Sequence, residues 1–393
     1  MIAFVYPLML LAALTAGAAQ AAPYIPASGS QVLERLPGGA QPAQRELARL
    51  RAELTTNPND LSRASTLARR YIEQARRDGD PRYLGYAQAA LAPWWSADRA
   101  KAPADVLVLR ATLNQSTHSF ADALLDLDEV VKRDGGNAQA WLTRATIQQV
   151  TGDYAGARTS CARLYGSTTE LVVQTCLASV GSMTGSGRAS YERLRQVLAT
   201  RMDSPAPLRA WSATLLGEMA ERLGDYPAAE AHFREALKAD PQDSYLLAAY
   251  ADFLLERGRA KEVLPLLASH TQADALLLRH AIALGITRSP EASRGAAALR
   301  ARFEAAQRRG DVVHRREEAR FALALDNDPA RALRLAKLNW AVQKEPADLR
   351  IRAQAAAATG DAEGARLVRD WLRRTRLEDR SLDATLRRMG AAA

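Results

Sequence analysis

A stretch of 34 residues, 210–243, constrains the fold of this chain more than any other part of the sequence. It predicts two helices joined by a tight turn at Gly224-Asp225, because glycine readily adopts the positive φ that such turns need. Pro241 then ends the second helix, since proline lacks the backbone N–H that the next helical turn would use. This hairpin leaves one face apolar and cannot bury it alone, so it implies neighbours of the same kind.

The same stretch resembles a tetratricopeptide repeat (TPR) at seven positions where that family prefers particular residue types. These are small residues at helix contacts, aromatic residues between them, a turn glycine and a closing proline: Gly217, Gly224, Tyr226, Ala229, Phe233, Ala236 and Pro241. Weaker copies of the pattern begin at Ala104, Ala138, Ser244 and Arg315. The resemblance implies an all-α fold, a right-handed α-solenoid of roughly six to eight TPR-like helical hairpins.

The domain organisation is predicted from this repeat pattern and from the composition of the N-terminal residues. We expect a signal peptide over residues 1–21, a flexible lead-in rich in proline and glycine over 22–44, and a helical repeat array over 45–390. The clearest repeats within the array are 104–137, 138–171, 210–243, 244–268 and 315–346. The pattern is degenerate between them, so the hairpins there are expected to be irregular.

The first residues have the composition of a secretory signal. An uncharged, apolar run over residues 8–19 precedes a small-x-small cleavage site at residues 19–21. No Lys or Arg comes before the run, so either the signal or the start position is atypical, and a short membrane anchor is the alternative. We expect a mature chain in the periplasm of a Gram-negative bacterium, without a transmembrane helix.

The chain contains two cysteines, Cys161 and Cys176, which fall on the second helix of one predicted hairpin and the first helix of the next. Such helices are neighbours in a repeat stack, and an oxidising compartment favours a disulfide between them. The alternative is a pair of small buried apolar residues. The sequence contains no CxxC motif, so it supports neither a thioredoxin-like redox activity nor a cysteine-rich zinc site.

The sequence contains no residue pattern typical of catalysis or of cofactor binding. Its five histidines form neither an HExxH motif nor a comparable metal pair, and there is no phosphate-binding glycine loop. We therefore predict a non-catalytic protein with no metal and no cofactor. The net charge of +9 comes mainly from arginine, which either reflects a GC-rich genome or marks a polyanion-binding surface. Given the expected export, nucleic acid is not an expected partner.

In TPR proteins the first helix of each hairpin lines the concave face, and the resemblance therefore implies which residues contact a partner. The repeats at 210 and 244 place two aromatic residues and four carboxylates there: Trp211, Glu218, Glu221, Tyr245, Asp252 and Glu256. This set suits a basic or amphipathic peptide or helix of another envelope protein. The alternative is a solvated acidic face without a partner. The Lys and Asn residues with which the chaperone-binding branch clamps a C-terminal carboxylate are absent, so that partner class is excluded.

A second functional interpretation uses other residues. Trp94 and Trp95 lie in a predicted loop, either as a hydrophobic plug or as an exposed aromatic platform. Residues 366–388 carry eight arginines against four acidic residues, which would suit an anionic polysaccharide. Under this interpretation the protein is a polysaccharide-associated envelope assembly factor, and Arg373, Arg374 and Arg376 would bind the glycan.

Overall fold

The computed structural model describes Ser28 and residues 42–391. The predicted signal peptide, residues 1–21, and most of the predicted lead-in lie outside the described residues. The chain divides into two compact units, Met1–Ala48 and Arg49–Ala393, and the second contains nearly all of the described helices. The described residues form α-helices and one 3-10 helix, and no strand occurs among them.

The α-helices of the described residues follow one another with short connections: α1 Pro42–Thr56, α2 Leu61–Asp78, α3 Arg82–Ala90, α4 Ala92–Trp95, α5 Ala104–Ser116, α6 Phe120–Arg133, α7 Ala138–Thr151, α8 Tyr154–Ala162, α9 Glu170–Ser182, α10 Gly187–Thr200, α11 Ala206–Arg222, α12 Tyr226–Ala239, α13 Ser244–Glu256, α14 Ala260–Leu267, α15 Asp274–Ile286, α16 Ala292–Arg308, α17 Arg315–Ala324, α18 Pro329–Val342, α19 Pro346–Thr359, α20 Ala362–Thr375 and α21 Asp383–Ala391. The 3-10 helix, Arg380–Leu382, precedes α21.

Consecutive helices of the second unit pair as hairpins and form the predicted all-α solenoid. The described residues contain nine such pairs: α2/α3, α5/α6, α7/α8, α9/α10, α11/α12, α13/α14, α15/α16, α17/α18 and α19/α20. This is more than the six to eight expected from the sequence. The difference arises because segments with a degenerate pattern, such as α9/α10 and α15/α16, still bury an apolar face against their neighbours.

The hairpin α11/α12 shows how the sequence produces the repeat. Gly224 adopts a φ of +82° in the turn, and the Asp225 side chain accepts a hydrogen bond from the Ala228 N–H at the start of α12. Gly217 lies against the fully buried Phe233, and a Cβ at Gly217 would come within 2.9 Å of that ring. The two helices therefore touch where the pattern of small and large residues predicts.

Two local predictions differ from the structure. Helix α1 begins at Pro42, three residues before the predicted start of the array at residue 45. The prediction of a loop at Trp94 and Trp95 is wrong, because both residues belong to the short helix α4, whose second residue is Pro93. Proline is tolerated in the first turn of a helix, where its missing N–H has no partner to lose. Both indole rings are half-buried.

The two cysteines form a disulfide that links consecutive hairpins. Cys161 in α8 is bonded to Cys176 in α9, and their Cα atoms are 5.6 Å apart, within the usual range for such a bond. Both side chains belong to a buried apolar cluster with Val173 and Val180 of α9. The bond therefore fixes the contact between the second helix of one hairpin and the first helix of the next, as predicted.

The C-terminal hairpins pack against the turns of hairpins much earlier in the chain. The Lys344 N–H donates to the Val150 carbonyl at 2.7 Å, and the Tyr154 hydroxyl donates to the Lys344 carbonyl at 3.2 Å. Trp371 of α20 packs edge-on against Tyr154 and Trp340. The connection after α18 and the helix α20 are thus held on the α7/α8 turn.

The contact continues along the next turns of the array. Gly185 in the α9/α10 turn adopts a φ of +76°, and a Cβ there would lie 2.8 Å from the Arg376 side chain. Gly224 in the α11/α12 turn similarly faces Arg380. The segment that follows α20 therefore runs across successive hairpin turns. Arg320 of α17 and Arg350 of α19 lie opposite α13, where they contact Asp252 and Glu256.

Candidate functional site

The first helices of five consecutive hairpins, α11, α13, α15, α17 and α19, border one cavity of about 160 Å³. Its lining is dominated by charge, and we call it the charged cavity. Five carboxylates and four arginines define it: Glu218, Glu221, Asp252, Glu256, Glu317, Arg279, Arg316, Arg320 and Arg350. Ala249, Ala347 and Ile351 contribute apolar surface.

The structure brings together the four carboxylates that the sequence places on the concave face, and all four line the charged cavity. The two predicted aromatic residues lie outside it. Trp211 is 39% exposed on α11 and Tyr245 is 59% exposed on α13. The Tyr245 hydroxyl donates to Glu218 Oε1 at 2.7 Å, which connects this aromatic surface to the cavity.

Arginines of this chain neutralise part of the predicted acidic surface. Asp252 is held between Arg279 Nη2 at 2.6 Å and Arg320 Nη1 at 2.5 Å. Burial raises the pKa of Asp252, but the two guanidinium groups outweigh burial, and the pKa is lowered overall. Asp252 is therefore ionised and already occupied by two cations.

Arg350 of α19 plays the same role for Glu256. Its Nη1 donates to Glu256 Oε1 at 2.9 Å, and its Nε lies 3.4 Å from Asp379 Oδ2. Arg316 of α17 similarly reaches Glu345 at 2.8 Å. The carboxylates of α13 and of the C-terminal hairpin thus share arginines that come from distant parts of the chain.

Glu221 is the exception among the predicted carboxylates. It is 4% exposed, its Oε1 has no hydrogen-bond partner, and it takes part in no salt bridge with another residue of the described chain. Burial raises the pKa of Glu221 to about 8, although the nearby Arg350 acts in the opposite direction. A largely buried carboxyl without a partner therefore faces the charged cavity.

The four arginines of the cavity were not predicted from the sequence. A signal for two of them exists, because Arg279 follows Tyr245 by 34 residues and Arg350 follows Arg316 by 34 residues. Extending the repeat register beyond residue 268 would have placed these arginines near the concave face. Their pairing with the carboxylates is not visible in the sequence, since it depends on how the array curves.

The residues of the polysaccharide interpretation occupy a different surface. Arg373, Arg374 and Arg376 are exposed at the end of α20. Arg373 forms an ion pair with Asp370, and the Arg374 guanidinium lies 4.6 Å from the centre of the Trp371 ring. These arginines have intramolecular contacts but remain open to solvent.

Within residues 42–391, no group of three or more His, Cys, Asp and Glu side chains is arranged to hold a metal ion. In the same part of the chain, no helix is both long and apolar enough to cross a membrane. The charged cavity contains carboxylates and guanidinium groups, whose chemistry is the recognition of complementary charge and of hydrogen-bond donors.

Comparison with known proteins identifies the repeat family. Tetratricopeptide repeat models match residues 109–170, 187–244 and 221–281. The chain is a tetratricopeptide repeat protein. The matches include residues 187–209 of this TPR protein, where its sequence pattern is degenerate. The comparison with curated proteins finds no match.

Several solved structures are similar to this TPR protein. A tetratricopeptide repeat protein from Parabacteroides merdae is 12% identical over 79% of this chain and 98% of its own, with a TM-score of 0.35. Yeast Tom70 is 12% identical over 89% of this chain and 95% of its own, with a TM-score of 0.32. A monomeric mutant of IFIT1 with Gppp-AAAA is 12% identical over 89% of this chain and 77% of its own, with a TM-score of 0.43.

The repeat family indicates the general class of function. TPR arrays present rigid helical hairpins along an extended binding surface, and they act as scaffolds for protein–protein interaction. The matched repeats cover the helices that carry Trp211, Tyr245 and the carboxylates of α11 and α13. This TPR protein is therefore a protein-interaction scaffold.

Proposed function

We propose that this TPR protein is a non-catalytic scaffold of the bacterial cell envelope that binds a peptide or helix of another envelope protein at Trp211 and Tyr245. The observation that carries the proposal is the exposure of these two large aromatic side chains on adjacent first helices of the array. Trp and Tyr are the residues that most often anchor a partner, because each offers a large rigid surface with a polar tip.

Glu218 completes this surface. It is partly exposed and accepts the Tyr245 hydroxyl hydrogen, so it holds the phenol ring in one orientation and presents negative charge beside it. Asp252 and Glu256 contribute less to a partner, because Arg279, Arg320 and Arg350 already bind them. The proposed binding surface therefore contains fewer residues than the six predicted from the sequence. It suits an amphipathic segment with basic residues.

Two features support an envelope location. The apolar run over residues 8–19 and the small-x-small site after it have the pattern of a secretory signal. The disulfide between Cys161 and Cys176 is of a kind that persists in oxidising compartments and is rare in the reducing cytosol. Both features fit a chain that acts in the periplasm.

The test is a crosslinked pull-down from the periplasm, with the wild type beside a Trp211→Ala/Tyr245→Ala variant. We expect the wild type to enrich an envelope protein that the variant loses, because the anchoring rings are gone. Tyr165→Ala is the matched control, since Tyr165 is 58% exposed but lies in the connection between α8 and α9. Charge reversal at Glu221 is unsuitable, because a buried arginine there would unfold the protein.

Recovery of the same proteins by the wild type and by Trp211→Ala/Tyr245→Ala would contradict the proposal. The polysaccharide interpretation would then gain support if the wild type bound an anionic glycan column. That binding would have to disappear when Arg373, Arg374 and Arg376 are replaced by glutamine.

A further inference from the structure

The charged cavity and its immediate surroundings hold more carboxyl groups than arginines. Five carboxylates line it against four arginines, and three further carboxylates compete for the same arginines from outside: Glu345, Asp348 and Asp379. The protein as a whole has a net charge of +9, so the cavity and its surroundings form an acidic cluster within a basic protein. An acidic cluster of this kind attracts a cation rather than an anion.

Among the carboxyl groups of the cavity, Glu221 lacks a partner. Its side chain is almost completely buried, it borders the cavity, and Oε1 accepts no hydrogen bond from any described residue. Leaving a buried acceptor unsatisfied costs about 1–3 kcal/mol, so native structures rarely keep one without a reason. An occupant of the cavity that donates hydrogen bonds would supply the missing partner.

We propose that the charged cavity binds a compact organic cation, a guanidinium or primary ammonium group, through Glu221. The proposal rests on the proposed function, because it assigns that group to a Lys or Arg side chain of the partner held at Trp211 and Tyr245. Either group donates several hydrogen bonds, and a guanidinium group can bind a carboxylate through two parallel ones.

The geometry provides both space and a path. A volume of about 160 Å³ is several times that of one water molecule, which is enough for the head group of a long side chain. Glu218 and Glu221 are three residues apart on α11 and therefore lie on one face of that helix. Glu218 is the more exposed of the two and contacts Tyr245, so a cation that enters beside Tyr245 meets Glu218 first and Glu221 last.

The charges that act on Glu221 come from several elements of the array. Arg350 of α19 favours its ionised form, whereas Glu256, Asp379 and Asp252 disfavour it. The remaining charged groups of the cavity lie on α11, α15 and α17: Glu218, Arg279, Arg316, Glu317 and Arg320. Because burial raises the pKa of Glu221 to about 8, the carboxyl is mostly protonated at neutral pH and becomes a full anion only in more alkaline solution. Cation binding should therefore strengthen as the pH rises.

The test uses the purified full-length protein and free cations of defined structure. Methylguanidinium and n-butylammonium are titrated into the wild type, Glu221→Gln and Glu192→Gln, with n-butanol as the neutral analogue and sodium chloride to hold ionic strength constant. Glu192→Gln is the matched control, because Glu192 lies on the exposed side of α10 and pairs with Arg195. Thermal unfolding midpoints at increasing ligand concentration give the affinity, since a ligand that binds only the folded state raises the midpoint.

We expect both cations to raise the unfolding midpoint of the wild type and of Glu192→Gln, and the affinity to fall about tenfold or more in Glu221→Gln. For the wild type we expect affinity to increase about tenfold between pH 6.5 and 8.5, because Glu221 ionises over that range. Equal midpoint shifts in all three proteins, or no shift beyond that of n-butanol, would overturn the proposal. If Glu221→Gln fails to fold, a pH-independent affinity of the wild type would overturn it instead.

A peptide arm identifies the source of the cation. Acetyl-Gly-Arg-Gly-amide is compared with the same peptide carrying citrulline, in which a neutral urea group replaces the guanidinium group. Binding of the arginine peptide alone supports a partner side chain as the occupant, whereas binding of free methylguanidinium but of neither peptide overturns that source. None of these measurements needs the envelope partner, so their failure would leave the pull-down at Trp211 and Tyr245 as a separate result.

Discussion

At the residue scale, Glu218 and Glu221 show how strongly the environment decides what a carboxylate can do. They are less than one helical turn apart on α11, yet Glu218 is partly exposed and binds a tyrosine, whereas Glu221 is buried and unpaired. Helical spacing predicts correctly that both point to the same side. It does not predict their difference in burial, because that depends on α17 and α19 lying opposite them.

The burial of Glu221 predicts a specific dependence of stability on pH. Its pKa is about 8 in the folded protein and near the ordinary value of 4.5 in the unfolded chain. Between these values the folded state binds the extra proton, so the free energy of unfolding falls as the pH rises. We expect the stability of Glu221→Gln, which cannot ionise, to increase by about 4 kcal/mol relative to the wild type as the pH rises from 5 to 8.5, because each pH unit between the two pKa values contributes about 1.4 kcal/mol.

Urea denaturation of both proteins at several pH values measures this difference. Groups that titrate in both proteins, such as Asp348, cancel when the two curves are subtracted. Glu192→Gln again serves as the control, because it removes an exposed carboxylate outside the cavity. A stability difference between Glu221→Gln and the wild type that stays constant with pH would show that Glu221 is ionised throughout.

At the scale of helices, the hairpins were largely predictable because their contacts are local in sequence. Gly217 faces Phe233 across one turn, and the two residues belong to the same 34-residue unit. The disulfide was predictable for a similar reason, since Cys161 and Cys176 lie on helices adjacent in the chain. Helix α4 was missed because Pro93 next to two tryptophans looks like a loop, although proline is compatible with a first helical turn.

The close contact at Gly217 predicts opposite effects for the same substitution at two helical glycines. Gly217→Ala would place a Cβ 2.9 Å from the buried Phe233 ring, so the two helices must separate. We expect the free energy of unfolding to fall by about 1–3 kcal/mol. Gly85 lies inside α3, and a Cβ added there would have no neighbouring atom within 4 Å. Gly85→Ala should therefore raise the free energy of unfolding by about 0.5–1 kcal/mol, because alanine has the higher helix propensity. Urea or thermal unfolding of both variants measures the pair, and a stabilised Gly217→Ala would show that Phe233 can move aside.

At the scale of the whole array, the candidate site depends on contacts that no local pattern contains. Arg350 and Glu256 are 94 residues apart in sequence, and Tyr154 and the Lys344 carbonyl are 190 apart. The repeat register predicts that Glu256 faces inward, but it does not say which helix lies opposite. The structure brings the four predicted carboxylates to one cavity, whereas the arginines that pair with Asp252 and Glu256 were not predicted.

These long-range contacts predict that the α7/α8 turn and α20 open together. Trp371 is nearly buried between Trp340 of α18 and Tyr154 of α8, and it also approaches Gly152. Trp371→Ala should destabilise the protein by about 3–5 kcal/mol, as is usual for a buried tryptophan. We further expect faster amide hydrogen exchange in α20 and also in the α7/α8 turn, because the turn loses the helix that covers it.

Trp141→Ala provides the comparison, because Trp141 is half-buried on α7, donates to the Gly135 carbonyl and lies beside Arg144. Its removal should accelerate exchange around α7 while α20 stays protected. If Trp371→Ala accelerates exchange in α20 alone, the turn is held by its own hairpin, and the docking of the C-terminal helices contributes little there. If both segments respond, the C-terminal hairpin is part of the structure that positions α17 and α19 over the carboxylates of α11 and α13. The charged cavity would then exist only while α20 stays docked on the α7/α8 turn.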